Sequence, residues 1–94
     1  HTVKLLDIIV SKNFTDNLLF LVLEHRGASL HTKLLNVSGK DFNDTHVATI
    51  LYNILCAINF IHSANILHRD LRPGSFCIDQ DFKVTLNNFG RSRT

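Results

Sequence analysis

One stretch of the chain, "HRDLRPGSFCIDQDFKVTLNNFG" from His68 to Gly90, carries most of the residues that could do chemistry. Asp70 is a carboxylate on a loop, the kind of group that accepts a proton from an incoming hydroxyl. Arg72, two positions on, offers a planar cation that can meet an anion. Ser75 and Asn88 stand five and eighteen positions after Asp70, and each carries a neutral side-chain oxygen. A His-Arg-Asp triplet by itself also suits a surface loop closed by a salt bridge. The pattern acquires meaning only from the elements around it.

Those elements are legible. Val3 to Val10, "VKLLDIIV", is a short run rich in branched apolar residues and reads as a buried strand. The polar stretch Ser11 to Asn17 has the composition of a hairpin turn, and Leu18 to Glu24 reads as a second strand antiparallel to the first. Ser29 is a candidate cap for a short helix near Leu30 to Leu35, and Asn36 to Asp44 reads as a loop. From Thr45 to about His62 the apolar positions Val47, Ile50, Leu51, Ile54, Leu55, Ile58 and Ile61 recur at helical spacing. Asp44 or Thr45 is the expected N-cap of this helix. Pro73 and Gly74 exclude helix from the loop that follows. "SFCI" and "KVTL" then form two short strands around the turn-like "DQDF". Strand pair, short helix, long helix, loop and hairpin make an α+β chain, with the two strand pairs free to lie in different sheets.

The bulk numbers agree with one small unit. The chain has 94 residues, 45% of them apolar, which is too many for a disordered chain and few enough residues that a core is marginal alone. The net charge of +2 is spread along the chain, so no nucleic-acid footprint is expected. No run of 18 apolar residues exists, so no membrane span is expected either. Cys56 and Cys77 lack metal-ligand spacing and read as reduced thiols of an intracellular, cytoplasmic or nuclear protein. The chain opens on His1 without a signal-peptide pattern and reads as an internal fragment. The Asn-x-Ser/Thr triplets at Asn13, Asn36 and Asn43 carry no weight in that setting.

With its setting restored, "HRDLRPGS", a hairpin and then "NFG" resembles the eukaryotic protein kinase domain, whose signature is H-R-D-L-x-x-x-N followed by D-F-G. "FIHSANILHRDLRP", "LFLVLEHRGASL" and the helix start "NDTHV" look most like the MAP kinase branch. The resemblance runs from Val3 to Gly90 and implies a part of the kinase fold. Residues 1-26 would be the last N-lobe strands and hinge, and 27-94 the first part of the C-lobe through N-F-G. It implies ATP and Mg²⁺ as cofactors, protein hydroxyls as substrates, and Asp70 and Arg72 as catalytic groups, with Arg72 where the family usually has Lys.

By the same resemblance the main chain of Glu24 and Arg26 would hold adenine, Leu23 would be the gatekeeper, and Cys77 would lie under the ring. His68, Phe89 and Leu5 would stack in the regulatory spine, Gly90 would close the N-F-G motif, and Arg69 would meet a phosphorylated activation loop. The chain departs from the family at the metal: Asn88 replaces the D-F-G aspartate and Ser75 the catalytic-loop asparagine. The pair keeps oxygens and loses its charge. Two unit charges about 4 Å apart attract by about 4 kcal/mol at an effective dielectric of 20, before doubling for a divalent ion. Arg91 and Asn87 also replace apolar residues common there. The resemblance therefore implies a protein Ser/Thr kinase with impaired activity, or a pseudokinase serving as a binding or scaffold module.

Overall fold

The computed structural model describes residues 1–12, 17–36 and 42–94. The middle of the expected first turn and of the loop after Asn36 lies outside them. Strands β1 (Leu5–Val10) and β2 (Leu19–Leu23) form an antiparallel two-stranded sheet. Its register pairs Val10 with Leu19 and Leu5 with Leu23, with an irregularity between Leu5 and Asp7. The strand expected from Val3 begins two residues later. Thr2 instead bridges Leu86 in parallel, and the Val3 N–H donates to the Leu86 carbonyl at 3.0 Å.

A second sheet, in the order β3-β4-β5, joins Ala28–Ser29, Phe76–Ile78 and Val84–Leu86, all antiparallel. The two expected strand pairs thus do lie in different sheets. The two-residue β3 was not expected from sequence, since it is too short to carry a period. Gly27 makes it possible. Its φ is +103°, and a Cβ there would stand 2.2 Å from the Ile78 carbonyl oxygen, so only glycine lets the chain approach β4 that closely.

Helix α1 (Leu30–Leu35) starts where expected: the Ser29 hydroxyl accepts from the Thr32 N–H at 3.1 Å. Helix α2 (Asp44–Ser63) corrects the expected cap. Asn43, not Asp44 or Thr45, is the N-cap; its Oδ1 accepts from the His46 N–H at 2.9 Å, and the His46 Nδ1 accepts from the Asn43 N–H at 3.4 Å. A reciprocal box of this kind leaves Asp44 in the first turn, where its charge suits the helix dipole.

The core lies between α1, α2 and the second sheet. Leu30, Ile50, Ala57, Ile61, Phe76, Ile78, Val84 and Leu86 are buried there. By length and composition α2 could cross a membrane, which the sequence reading did not anticipate. Here its Ile50–Ala57–Ile61 stripe faces the core and the helix packs on β5.

The sequence reading also made β1 a buried strand, and this is wrong for the chain as it stands. Every residue of β1 is exposed, Val10 at 65%. Two strands cannot cover one another's faces, and none of the described elements lies over this sheet.

Candidate functional site

The site residues hang on the loop between α2 and β4 and on the turn after β5. Helix α2 ends at Ser63 with Ala64 as its C-cap, and Asn65 takes a left-handed φ of 59°. Leu67 and Arg93 then exchange two main-chain hydrogen bonds of 2.7 and 2.9 Å, pinning the loop to the segment beyond Gly90. Between those anchors the chain turns inward at His68 and outward at Asp70.

His68 is buried, 1% exposed. The Asp70 N–H donates to its Nδ1 at 3.2 Å, so that nitrogen carries no proton. The other nitrogen, Nε2, therefore donates to the Asn87 carbonyl at 2.8 Å. The Asn87 N–H in turn donates to the Ser75 carbonyl at 2.7 Å, and the Ser75 hydroxyl donates to the Asp70 carbonyl at 2.5 Å. Asp70, His68, Asn87 and Ser75 thus form a closed ring of four hydrogen bonds. It ties the loop to the turn after β5 and fixes the main chain on both sides of the Asp70 carboxylate. A buried polar ring is stable only when all its members are satisfied, and no buried side-chain nitrogen or oxygen among the described residues lacks a partner.

The carboxylate of Asp70 is partly open, at 23% exposure, and the Arg72 Nε stands 3.5 Å from one of its oxygens. Arg72 is placed for two contacts. The guanidinium pairs with Asp70, yet it is 63% exposed and free to swing toward an anion. Arg69 takes a left-handed φ of 67° and its Nε donates to the Arg91 carbonyl at 2.7 Å. The side chains of Arg69 and Arg91 line a small cavity of about 250 Å³. Arg91, an unexpected residue at its position, thus lies next to Arg69 and is held through its carbonyl.

The turn Asn88-Phe89-Gly90 follows β5. Asn88 has a φ of 65°, in the left-handed region that asparagine and aspartate tolerate best among residues with a side chain. An amide can therefore replace a carboxylate here without disturbing the main chain. Phe89 packs edge-on to His68 with ring centroids 5.0 Å apart. Leu5, the third expected member of that stack, stands with Phe89 in the wall of a cavity of about 640 Å³. Val3, Leu21, Leu23, Gly74, Asn87, Asn88 and Gly90 complete that wall. It is an apolar recess with two amides at one side, a composition suited to small organic molecules.

The expected hinge lies just past β2. The Glu24 N–H is spent on the Lys4 carbonyl at 3.0 Å, so its main chain can present only its carbonyl to a base. Its carboxylate accepts from the Lys4 N–H at 2.9 Å and pairs with the Arg26 Nε at 3.1 Å. The Lys4 bond foremost, opposed by burial and helped by the Arg26 partner, holds this carboxyl below its ordinary range. Cys77 is half-buried on β4, with the Asn87 Nδ2 at 4.0 Å from its sulfur. Leu23 lines the recess of about 640 Å³ and Cys77 does not.

The residues at the expected metal position do not fit Mg²⁺. Ser75 is 0% exposed, and its hydroxyl is committed to the Asp70 carbonyl. Asn88 brings no charge, and no group of three or more His, Cys, Asp or Glu side chains among the described residues could hold a metal. Mg²⁺ fills most of its shell with waters and phosphate oxygens and is anchored by one or two protein carboxylates; this pair offers no carboxylate, and its hydroxyl is sealed in the ring. Asn87 was noted in the sequence only as a departure from the family, with no role attached to it. A polar side chain where an apolar one is common was the available signal, but nothing in a single sequence says that its main chain closes the ring.

The family model of the protein kinase domain matches residues 1–94. Mitogen-activated protein kinase 15 of Xenopus laevis is 39% identical over 94 residues, all of this chain and 15% of that protein. Mitogen-activated protein kinase spm1 of Schizosaccharomyces pombe is 38% identical over 88 residues, 94% of this chain and 20% of its own length. Extracellular signal-regulated kinase 7 of Drosophila melanogaster is 36% identical over the whole chain, which is 10% of its length. The chain thus spans a fifth or less of these relatives. A match over every residue, with the catalytic-loop frame intact, means that this chain belongs to the protein kinase domain family and is a MAP-kinase-like part of that domain.

Proposed function

We propose that the chain supplies the hinge, catalytic loop and N-F-G turn of a MAP-kinase-like protein Ser/Thr kinase domain whose phosphoryl transfer is impaired. Its last N-lobe strands and hinge are residues 1–26, and its C-lobe part is 27–94. The observation that carries the reading is the ring around Asp70. The proton acceptor is kept and held in place, while Ser75 within the same ring is unavailable to a metal. Asp70 would accept the proton of a protein hydroxyl, and Arg72 would face the phosphate. Glu24 and Arg26 would present main-chain groups to adenine, with Leu23 behind the base and Cys77 beneath it. His68, Leu5, Phe89 and Gly90 hold the site together, and Arg69 faces anions beyond it. ATP is the expected nucleotide, and Mg²⁺, the family's usual ion, is bound weakly or not at all.

The second reading is a pseudokinase that acts as a binding or scaffold module, and the burial of Ser75 specifically favours it. In either case the partner is another protein, not a nucleic acid or a membrane, and the setting is the cytoplasm or nucleus.

One experiment separates the two. Full-length protein is assayed for stabilisation by ATP with and without Mg²⁺, and for autophosphorylation, with Asp70→Ala as the control. The first reading expects slow phosphorylation that disappears in Asp70→Ala. The second expects none in either protein. Phosphorylation at ordinary kinase rates, with ATP stabilisation strongly dependent on Mg²⁺, refutes the impaired site in both.

A further inference from the structure

Asn87 enters the ring through its main chain alone, and any residue but proline at that position could make those two bonds. Its side chain is occupied elsewhere. The Oδ1 accepts from the Asn88 N–H at 2.7 Å, and the Nδ2 reaches back toward the Cys77 sulfur on β4. The first contact falls on the N–H of a residue in the left-handed region, where a residue with a Cβ is held only if its surroundings favour it. The far end of the turn is closed as well: the Ser92 N–H and hydroxyl both donate to the Phe89 carbonyl, at 3.0 and 2.6 Å. Four consecutive residues of this turn, Asn87 to Gly90, form one side of the large recess.

We propose that Asn87 is the positioning residue of this turn: its side-chain amide holds Asn88 in the left-handed conformation from within the chain, so that the recess wall is set without a divalent ion. The physical reason is a substitution of one tether for another. A carboxylate at position 88 could be held from outside by a bound cation. An amide carries no charge for a cation to hold, and the Ser75 hydroxyl, the other expected oxygen, is turned to Asp70. The turn therefore needs an internal acceptor for the Asn88 N–H, and the side chain immediately before it supplies one. This assignment concerns conformation and stands whether or not the protein transfers phosphate.

Site-resolved amide exchange on the full-length protein tests it, in EDTA and again with magnesium chloride. In the wild-type protein the Asn88 amide should be protected, and by the same factor within about twofold in both buffers. Asn87→Ala removes the acceptor and leaves the main-chain ring intact. It should speed exchange at Asn88 about tenfold, the scale of one net hydrogen bond, while the Asn87 and Leu67 amides keep their protection. Asn87→Asp retains a carboxylate oxygen at the same place and should restore the protection, which a general loss of packing would not allow. Free exchange of the wild-type Asn88 amide, protection that appears only with magnesium, an Asn87→Ala protein that exchanges like the wild type, or an Asn87→Asp protein that exchanges like Asn87→Ala would each overturn the assignment.

Discussion

Ser75→Ala removes a single oxygen from the centre of the site, and its effect follows from where that oxygen lies. The hydroxyl has no exposure to solvent and donates to the Asp70 carbonyl at 2.5 Å. Alanine fits the space without strain, so the change deletes the bond and little else. The Asp70 carbonyl is left without its donor in a place where the alanine methyl shields it from water. A net hydrogen bond contributes about 1 kcal/mol, and an orphaned buried acceptor costs about 1–3 kcal/mol. The loss should fall near the upper half of that range, because the other three bonds of the ring depend on the same main-chain geometry. Urea unfolding of the full-length protein measures it as a lower midpoint at an unchanged slope. A second readout separates the ring from general packing. Amide exchange at Asp70, whose N–H donates to His68, should rise in Ser75→Ala but not after a comparable deletion at a core position away from the ring, such as Ile50→Val. A midpoint within about 0.5 kcal/mol of wild type, with Asp70 exchange unchanged, would refute the idea that Ser75 is a structural tie rather than a spare metal ligand.

Gly27→Ala places a Cβ 2.2 Å from a main-chain oxygen that cannot rotate away, at a φ of +103°. It should cost more than about 2 kcal/mol and loosen the β3–β4 pairing, seen as faster exchange of the Ser29 and Cys77 amides. Ser75→Asn adds volume in a fully buried place and should destabilise by about 1–3 kcal/mol in thermal or urea unfolding. Asn88→Asp keeps a residue type that tolerates a φ of 65°, so stability should stay within about 0.5 kcal/mol while nucleotide binding becomes more dependent on Mg²⁺. Unchanged dependence in a titration calorimeter would place the defect elsewhere. The Glu24 carboxyl is held below its ordinary value of 4.5 by Lys4 and Arg26. Its contribution is therefore full above that value and is lost as pH falls through the lower folded value. Melting temperatures taken from pH 6 to pH 3 should show a shallower acid limb in Glu24→Gln than in wild type.

The long helix, the two sheets and the frame of the catalytic loop were legible because each rests on a local pattern. Helix α2 shows its period through Val47, Ile50, Ile54 and Ile61. The expectation of no helix at Pro73 and Gly74 was wrong, because Pro73–Ser75 forms a short 3-10 helix. Proline is tolerated in a first turn, where its missing N–H has no partner to lose. What escaped depends on partners far away in sequence. The cap fell at Asn43, one or two residues before the expected Asp44 or Thr45, because asparagine, aspartate and threonine stand side by side there. The choice fell to His46, whose ring completes a box that a propensity ranking does not contain. Strand β3 exists because Gly27 lets the chain touch Ile78, some fifty positions on. The exposure of β1 escaped for the opposite reason: an apolar run shows that a strand wants cover, not that the cover is present.

The site carries the same lesson to a functional end. Residue types alone made Ser75 and Asn88 look like two equivalent losses at one metal position. Their surroundings make them different. Asn88 is exposed at a turn whose conformation an aspartate would also accept, so its loss is one of charge and is reversible by a single substitution. Ser75 is sealed inside the ring and does a structural task there, so restoring an asparagine must first find room. Any return of metal affinity should therefore come from position 88 first. The double change Asn88→Asp with Ser75→Asn should improve Mg²⁺-dependent nucleotide binding over Asn88→Asp alone only if the loop shifts to admit the larger side chain. Amide exchange would show that shift as lost protection at Asp70 and Asn87. A double variant that binds better with the ring intact would mean that the room exists, and that the sealed hydroxyl was not the obstacle.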